Sequence, residues 1–412
     1  MAHAPAGDAL PSESQLALPL LRELAAAGGR ARPGELYDRI AATLGISDAA
    51  RSATVVTNGR KTNAYQRRVR WVRQTLVARE LIANDERGVW ALTDRGNAKL
   101  QNIIAGVIVT VFTTANGAFV WANASDTTAL VERGSVDLLL CSPPYPLLTP
   151  KPYSLYEKRD VDTWLEMMLR LVEGWTELLA PTGSIMLQLG PCFERGMPAE
   201  SLFAERLLVR LEDSLGVRLC QRLATYTASR MGPLAWCGIR RVRVRPAVDQ
   251  VLWLSPRPEQ AHANVDHVLV PYSKSGLRSI ANPEDGTRKR PSGFVFGPRS
   301  FRQHPGGAIP TSLIKTNPMS GGARAYHRAE RAAGRVPHPA PMPEDLARFA
   351  IALTTDEDFL VYDPMAGSGV VPLVAEQMGR RWLAGDRSRE YIRSAQIRFA
   401  SAGRPIELHH AA

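Results

Sequence analysis

Val136-Asp137-Leu138-Leu139-Leu140-Cys141-Ser142-Pro143-Pro144-Tyr145 is the stretch on which the reading of this chain turns. The run through Leu138-Leu139-Leu140-Cys141 is apolar without alternation, the pattern of a strand buried on both faces of a parallel sheet. It stops abruptly on a serine and two prolines. In an open α/β sheet, ligands bind beyond the carboxyl ends of the strands. The pattern therefore predicts such a sheet, with a functional loop at Ser142–Tyr145. Two successive prolines fix φ and remove two backbone N–H donors, so the loop presents mainly carbonyl acceptors. Such a loop suits a guest that is itself a donor, for example an exocyclic amine.

The lone pair of a nucleobase amine is delocalised into its ring and attacks poorly. Hydrogen bonds from its two N–H groups to Ser142 Oγ and the Pro143 carbonyl would draw the nitrogen towards sp³ geometry, with the lone pair free to meet an electrophilic methyl group. Tyr145 offers a flat face on which an extruded base can stack. Ser142, Pro143, Pro144 and Tyr145 are thus the catalytic candidates, and the chemistry calls for no metal. A serine hydroxyl is a poor general base, so proton loss is expected to follow methyl transfer.

A second strand-turn-helix pattern lies far downstream, at Val361-Tyr362-Asp363-Pro364-Met365-Ala366-Gly367-Ser368-Gly369. Gly367 and Gly369 permit positive φ and close approach of a ligand to the backbone. Nineteen residues after Gly367, Asp386 closes the next expected strand, where a carboxylate can bind ribose hydroxyls. Taken alone, this turn fits a dinucleotide equally well. It lacks the GxGxxG spacing, however, and does not begin the fold.

Around these two turns the periodicity predicts a helix over 161–179, a strand over 184–189, a helix over 343–353, a strand over 359–362, a helix over 370–378 and a strand over 382–385. From about 257 to 336 the chain is rich in Pro, Gly, Ser and Arg, with weak periodicity. Upstream, residues 15–100 read as a small helical domain. Its helices are one opened by Pro19, one over 33–44, and one over 66–78 with Arg67, Arg68, Arg70 and Arg73 opposite Val69, Val72 and Leu76. A turn at 84–88 leads into the strand 89–93. Three helices followed by a β-wing suggest a winged helix-turn-helix, whose basic helix suits a major groove.

Charge agrees with a polyanionic partner. The 412 residues carry a net charge of +11, and residues 218–335 hold 20 Lys+Arg against 6 Asp+Glu, leaving −3 for the rest. A field concentrated in this way draws in nucleic acid by releasing condensed counterions. The four cysteines show no CxxC and no metal-ligand spacing. The longest apolar stretch is too short to span a bilayer, and the first residues lack the pattern of a secretory signal, so a cytoplasmic location is expected.

Together the motifs resemble the DNA amino-methyltransferases of the β-group, in which the catalytic loop precedes a target-recognition region and the cofactor turn comes last. The resemblance covers about 123–399. It includes His338-Pro339-Ala340-Pro341-Met342-Pro343, similar to the family's HPA-x-x-P segment beside the methionine part of the cofactor, and Gly379-Arg380-Arg381-Trp382-Leu383-Ala384-Gly385-Asp386. It implies an α/β, Rossmann-like S-adenosylmethionine-dependent methyltransferase sheet in circularly permuted order, with S-adenosylmethionine held by 363–369, Asp386, His338, Pro339 and Asn123. Double-stranded DNA is the implied partner, with a separately acting restriction endonuclease as companion. In the family a serine before PPY goes mainly with N4 of cytosine and an aspartate with N6 of adenine, which stays the alternative. Met365 stands where relatives usually have Phe, Asn123 where an acidic residue often contacts the adenine edge, and no Trp-x-Lys follows Thr225.

The stretch from Leu18 through RRVRWVRQTLVARELI (67–82) to GVWALTDRGNAKL (88–100) resembles the N-terminal domain of Mrr-type restriction endonucleases. The expected organisation is a winged helix-turn-helix over 10–105, a catalytic half over 115–256, a target-recognition region over 257–335 and a cofactor-binding half over 336–405. Arg288, Lys289, Arg290, Arg299 and Arg302 join the arginines of the basic helix as DNA-binding candidates. Pro191-Cys192 matches the Pro-Cys of cytosine-C5 enzymes only superficially, because the motif order is wrong for them. RNA and protein-glutamine methyltransferases place the cofactor turn first. A DNA-binding regulator with an inert methyltransferase fold is the alternative of another class; the intact Asp363, Gly367 and Gly369 argue against it.

Overall fold

The computed structural model describes residues 10–11, 13–57, 60–78, 80–83, 86, 88–100, 106–146, 160–194, 196–281, 288–296 and 306–409. Arg299 and Arg302, positions 84, 85 and 87 of the expected turn, and the side chain of Arg288 lie outside the described residues. The chain divides into two compact units, the described residues up to 100 and those from 106 onward.

The first unit runs α1 (Glu13–Ala26), β1 (Arg30–Ala31), α2 (Pro33–Thr43), α3 (Asp48–Ser52), β2 (Thr54–Thr57), β3 (Arg60–Asn63), α4 (Ala64–Ala78), β4 (Ile82–Ala83), β5 (Trp90–Leu92) and α5 (Asp94–Leu100). Leu16, Leu20 and Leu24 of α1, Leu36 and Ile40 of α2, and Val69, Val72 and Leu76 of α4 form one core with Trp90. β5 lies between β1 and β4 in a small antiparallel sheet. Pro19 does not open the first helix but sits inside α1, which starts at Glu13 and buries Leu16 ahead of the proline. The structure also adds α3 and a β2–β3 hairpin between the second helix and the basic one. Neither leaves a hydrophobic period to read, because α3 has five residues and the hairpin exposes Val55 and Val56.

The second unit is built on one ten-stranded sheet. Its elements are β6 (Val109–Thr113), β7 (Gly117–Trp121), β8 (Val136–Cys141), α6 (Val161–Thr176), β9 (Leu179–Leu189), α7 (Phe203–Leu215), β10 (Arg218–Tyr226), β11 (Val248–Ser255), α8 (Lys274–Ala281), β12 (Arg288–Lys289), β13 (Val295–Phe296), β14 (Leu313–Lys315), α9 (Gly321–Ala332), α10 (Glu344–Thr354), β15 (Leu360–Asp363), α11 (Val370–Gln377), β16 (Arg381–Asp386), α12 (Arg389–Ser401) and β17 (Glu407–Leu408). The sheet order is β14-β10-β11-β9-β8-β15-β16-β7-β6-β17, and β12 and β13 pair separately. From β9 through β8, β15 and β16 to β7 all neighbours are parallel. Antiparallel strands flank this block on both sides.

Successive residues of β8 point to opposite faces, as the two-residue strand period requires. Leu138 and Leu140 join the cluster formed with α10, α11 and α12, while Leu139 and Cys141 join the one formed with α6 and α7. Burial on both faces is what the unbroken apolar run predicted. Residues 313–335, expected to continue the irregular segment, contribute β14 and α9. β14 buries only Ile314, and α9 starts on two glycines, which are poor helix formers, so neither carried a signal.

Candidate active site

The five parallel strands end on one edge, and every cofactor and catalytic candidate lies along it or against it. Asn123 follows β7, Asp386 ends β16, the Gly-rich turn follows β15, Ser142 follows β8 and Gly190 follows β9. The chain leaves β15 through α11 towards β16, and leaves β8 through α6 in the opposite direction, towards β9. The two turns therefore flank the switch point of the sheet, where open α/β folds place their ligands.

In the turn after β15, Gly367 has φ +52° and Gly369 φ +74°. A Cβ on Gly369 would clash at 2.9 Å with Ala395 Cβ, and one on Gly367 would crowd His338 Nε2 at 3.2 Å, so a side chain would be strained at both positions. Asp363 Oδ1 accepts the Met365 N–H at 3.1 Å. Asp386 accepts the Gly367 N–H at 2.9 Å on one oxygen and the Ser388 N–H at 2.7 Å on the other. Burial raises Asp386 to about 6, against the opposing pull of those N–H groups. It raises Asp363 well above its ordinary value, with the Asp386 charge adding to the effect.

Beneath the turn, buried Arg398 donates to the Ser368 carbonyl at 2.7 Å and to Ser368 Oγ at 3.0 Å, and its guanidinium lies 3.9 Å over the Tyr326 ring. The His338 ring packs edge-on to Tyr391 at 4.3 Å, and the His338 main-chain N–H donates to the Tyr326 hydroxyl at 2.9 Å. Burial and the nearby Arg398 lower the His338 imidazole to about 4, so the ring is neutral at pH 7. Asn123 donates to Asp126 at 3.2 Å, just beyond the end of β7. These residues fit a nucleoside-type cofactor. Each Asp386 oxygen spends one acceptor site on the backbone and a carboxylate oxygen has two, which leaves capacity for ribose hydroxyls.

At the end of β8, the Trp164 indole donates to the Pro144 carbonyl at 2.6 Å and so fixes the proline pair. Ser142 Oγ donates to the Gln188 carbonyl at 3.3 Å and lies 3.2 Å from the Tyr145 hydroxyl. With its proton committed to a main-chain carbonyl, the Ser142 oxygen turns acceptor capacity towards the loop. Burial pushes the Tyr145 phenol up to about 12, and the Asp249 charge adds to this, while its hydrogen bond with Ser142 and the one from the Gly190 N–H oppose it. Tyr145 thus keeps its proton and can donate to Ser142. A Cβ on Gly190 would lie 3.0 Å from Asp249 Oδ1 and 3.1 Å from Tyr145 Cε2, so Gly190 lets the ring settle beside the carboxylate. Asp249 also accepts from Gln188 at 3.1 Å and takes a two-pronged bond from Arg230.

Residues 136–397 match the family model for DNA methylases. The chain belongs to that family. Residues 14–102 match the model of the Mrr N-terminal domain. Among curated relatives, the type II methyltransferase M.PvuII of Proteus hauseri is 31% identical over 70% of this chain and 85% of its own length. M.HpaI of Haemophilus parainfluenzae is 24% identical over 68% and 73%. The solved structure of a PvuII DNA methyltransferase described as cytosine-N4-specific matches with a TM-score of 0.56 at 26% identity, covering 70% of this chain and 87% of that one. This DNA methylase is accordingly an S-adenosylmethionine-dependent enzyme on a Rossmann-like sheet, and its substrate is DNA.

Of the DNA-binding candidates in this methylase, Arg67 and Arg70 stand exposed on α4 beside Trp71, which is 59% exposed. Arg68 instead donates to the carbonyls of Leu10 and Pro11 at 3.0 Å each, and Arg73 lies 5.9 Å from the Trp90 ring. Lys289 and Arg290 are exposed in the β12–β13 hairpin. Sequence reasoning missed Gln188, Gly190, Arg230 and Asp249 around the candidate catalytic loop, and Arg398 beneath the Gly-rich turn. One signal was available: Asp249 is a lone carboxylate inside the apolar strand Val248–Ser255.

Proposed function

We propose that this DNA methylase methylates N4 of cytosine in duplex DNA, acting on a base extruded from the helix. The observation that carries this reading is the Ser142 oxygen, held as an acceptor by the Gln188 carbonyl and seated across the switch point from the Gly-rich turn. Ser142 Oγ and the Pro143 carbonyl take the two N–H groups of the amine, and Tyr145 stacks on the base. When bound, S-adenosylmethionine supplies an electrophilic methyl group. Asp386 would hold its ribose, and the 363–369 backbone, His338 and Pro339 would hold its amino-acid end, with Asn123 for its base. A serine is a poor base, so the amine keeps both protons while it attacks and releases one afterwards. Serine in place of aspartate, together with the cytosine-N4-specific PvuII relative, supports cytosine over adenine.

In this reading the exposed Arg67 and Arg70 of the first unit, and the basic segment 257–335 with Arg288, Lys289, Arg290, Arg299 and Arg302, hold and read the DNA. No helix among the described residues is long and apolar enough to cross a membrane. The cytoplasm is the proposed site of action, and a separately acting restriction endonuclease the proposed companion. Digesting DNA methylated by the purified enzyme to nucleosides tests the central claim: N4-methylcytosine is the expected product, and N6-methyladenine alone would refute it.

A further inference from the structure

Residues 227–247 join β10 to β11. Since β10 and β11 are antiparallel to each other and β11 is antiparallel to β9, this connection lies on the catalytic edge. It is a shaped knob rather than a slack loop. The Thr227 N–H donates to the Ala247 carbonyl at 2.8 Å and closes the base. Within it, the N–H groups of Val242 and Arg243 fold back onto the Trp236 carbonyl at 3.0 and 3.3 Å, and Cys237 Sγ donates to the Val244 carbonyl at 3.3 Å. Gly232 packs so tightly that a Cβ there would lie 2.6 Å from Cys237 Sγ.

The composition of the knob is unusual for a surface. It holds five arginines (230, 240, 241, 243 and 245) and no Asp or Glu. Its crest exposes Met231 (79%), Leu234 (68%), Ile239 (71%), Val242 (60%) and Val244 (90%). Apolar side chains concentrated in this way mark a binding surface, and arginines without a single carboxylate select a polyanion. Arg230 is committed to Asp249, and Arg243 donates to the Pro198 carbonyl. Arg240, Arg241 and Arg245 are exposed. Through Asp249, which lies against Gly190 and Tyr145, the knob is rooted in the catalytic loop itself.

Extruding a base leaves a gap in the stack, and apolar wedges are the usual filling when a duplex is opened. We propose that the 227–247 knob enters the duplex beside the target base, with Arg240, Arg241 and Arg245 on phosphates and the crest of Leu234, Ile239 and Val244 against the unstacked bases. This rests on the DNA-methylating reading above and adds to it a contact outside the 257–335 segment.

The test compares full-length wild type with R240A/R241A/R245A and with L234S/I239S/V244S. The readouts are duplex affinity across a salt series, methyl incorporation into genomic DNA, and S-adenosylmethionine binding as evidence of an intact fold. The arginine variant is expected to show a log K against log salt slope shallower by about 2.7, the share of three phosphate contacts. The crest variant is expected to keep the slope and to lose about tenfold or more in methylation rate at saturating DNA. Either variant matching wild type on its readout overturns the proposal, as does a crest variant that only breaks up a wild-type dimer. Wild type that binds S-adenosylmethionine but neither binds nor methylates DNA would remove the proposal and the reading beneath it together; the variant arms strike the proposal alone.

Discussion

The two turns at the switch point begin alike and end as opposites. Both follow buried parallel strands, β8 and β15, and both open onto the same edge of the sheet. One is made of prolines, which delete N–H donors and leave carbonyls and a serine oxygen facing outward. The other is made of glycines at positive φ, beside the two buried aspartates Asp363 and Asp386. On the proposed reading, one scaffold therefore yields an acceptor surface for an amine and a cradle for a nucleoside, according to which residue controls φ. Their supports differ as well: the proline loop is held by the Trp164 side chain, the glycine turn by Arg398 from below.

If the division is real, each turn can be damaged without the other. The largest effect is expected from Ser142→Ala, which should lower kcat by about 100-fold, as loss of one positioned polar partner does elsewhere. Cofactor affinity measured by calorimetry should not move; a parallel fall in affinity would erase the distinction between the turns. Gly369→Ala should do the reverse. A side chain at φ +74° lying 2.9 Å from Ala395 Cβ costs about 2–4 kcal/mol, read as a lower urea midpoint, with cofactor binding weakened as well.

Proton linkage sharpens the glycine side. Asp386 titrates at about 6 in the fold, above its ordinary value of 3.8, so its carboxylate form is lost as pH falls below 6. Cofactor affinity should be flat above that pH and fall by about tenfold per unit below it. Asp386→Asn should abolish the slope, and a slope that survives would move the titration to another group. The contribution of this group to stability has the other sign: it is present at acid pH and is lost as pH rises through about 6. The smallest effect is expected for Trp164→Phe, which leaves the Pro144 carbonyl without its indole donor. About 1–3 kcal/mol of stability should go, from the stranded carbonyl and the lost buried indole volume, with kcat falling and cofactor affinity unchanged.

Both turns were legible in the sequence because each joins an apolar run to a proline pair or a glycine pair, residues whose backbone constraints are local. The helix and strand periods around them placed most elements within a few residues. β9 is an exception, since it begins at Leu179, five residues before the alternation becomes readable. What lies around the turns was not legible. Asp249, Gln188 and Arg230 meet only because β9 and β11 pair, and Arg398 reads in the sequence as one more arginine on a helix. β14 and α9 depend on a neighbour to exist as elements, and their residues alone do not announce them.

Asp137, near the start of β8, accepts the Leu360 N–H at 2.8 Å across 223 residues of chain and so clasps the two central strands together. During synthesis, β8 and its acceptor loop emerge well before the strand that covers the edge of β8, which follows 223 residues later. Until then β8 presents an unpaired edge, the feature that most invites misassociation, and contacts this distant in sequence are slow to form. On the proposed reading, a chain cut short before residue 360 would carry the Ser142–Tyr145 loop and the arginines proposed for DNA without the Gly-rich turn proposed for the cofactor. Such a fragment would be a DNA ligand with no means of marking what it holds.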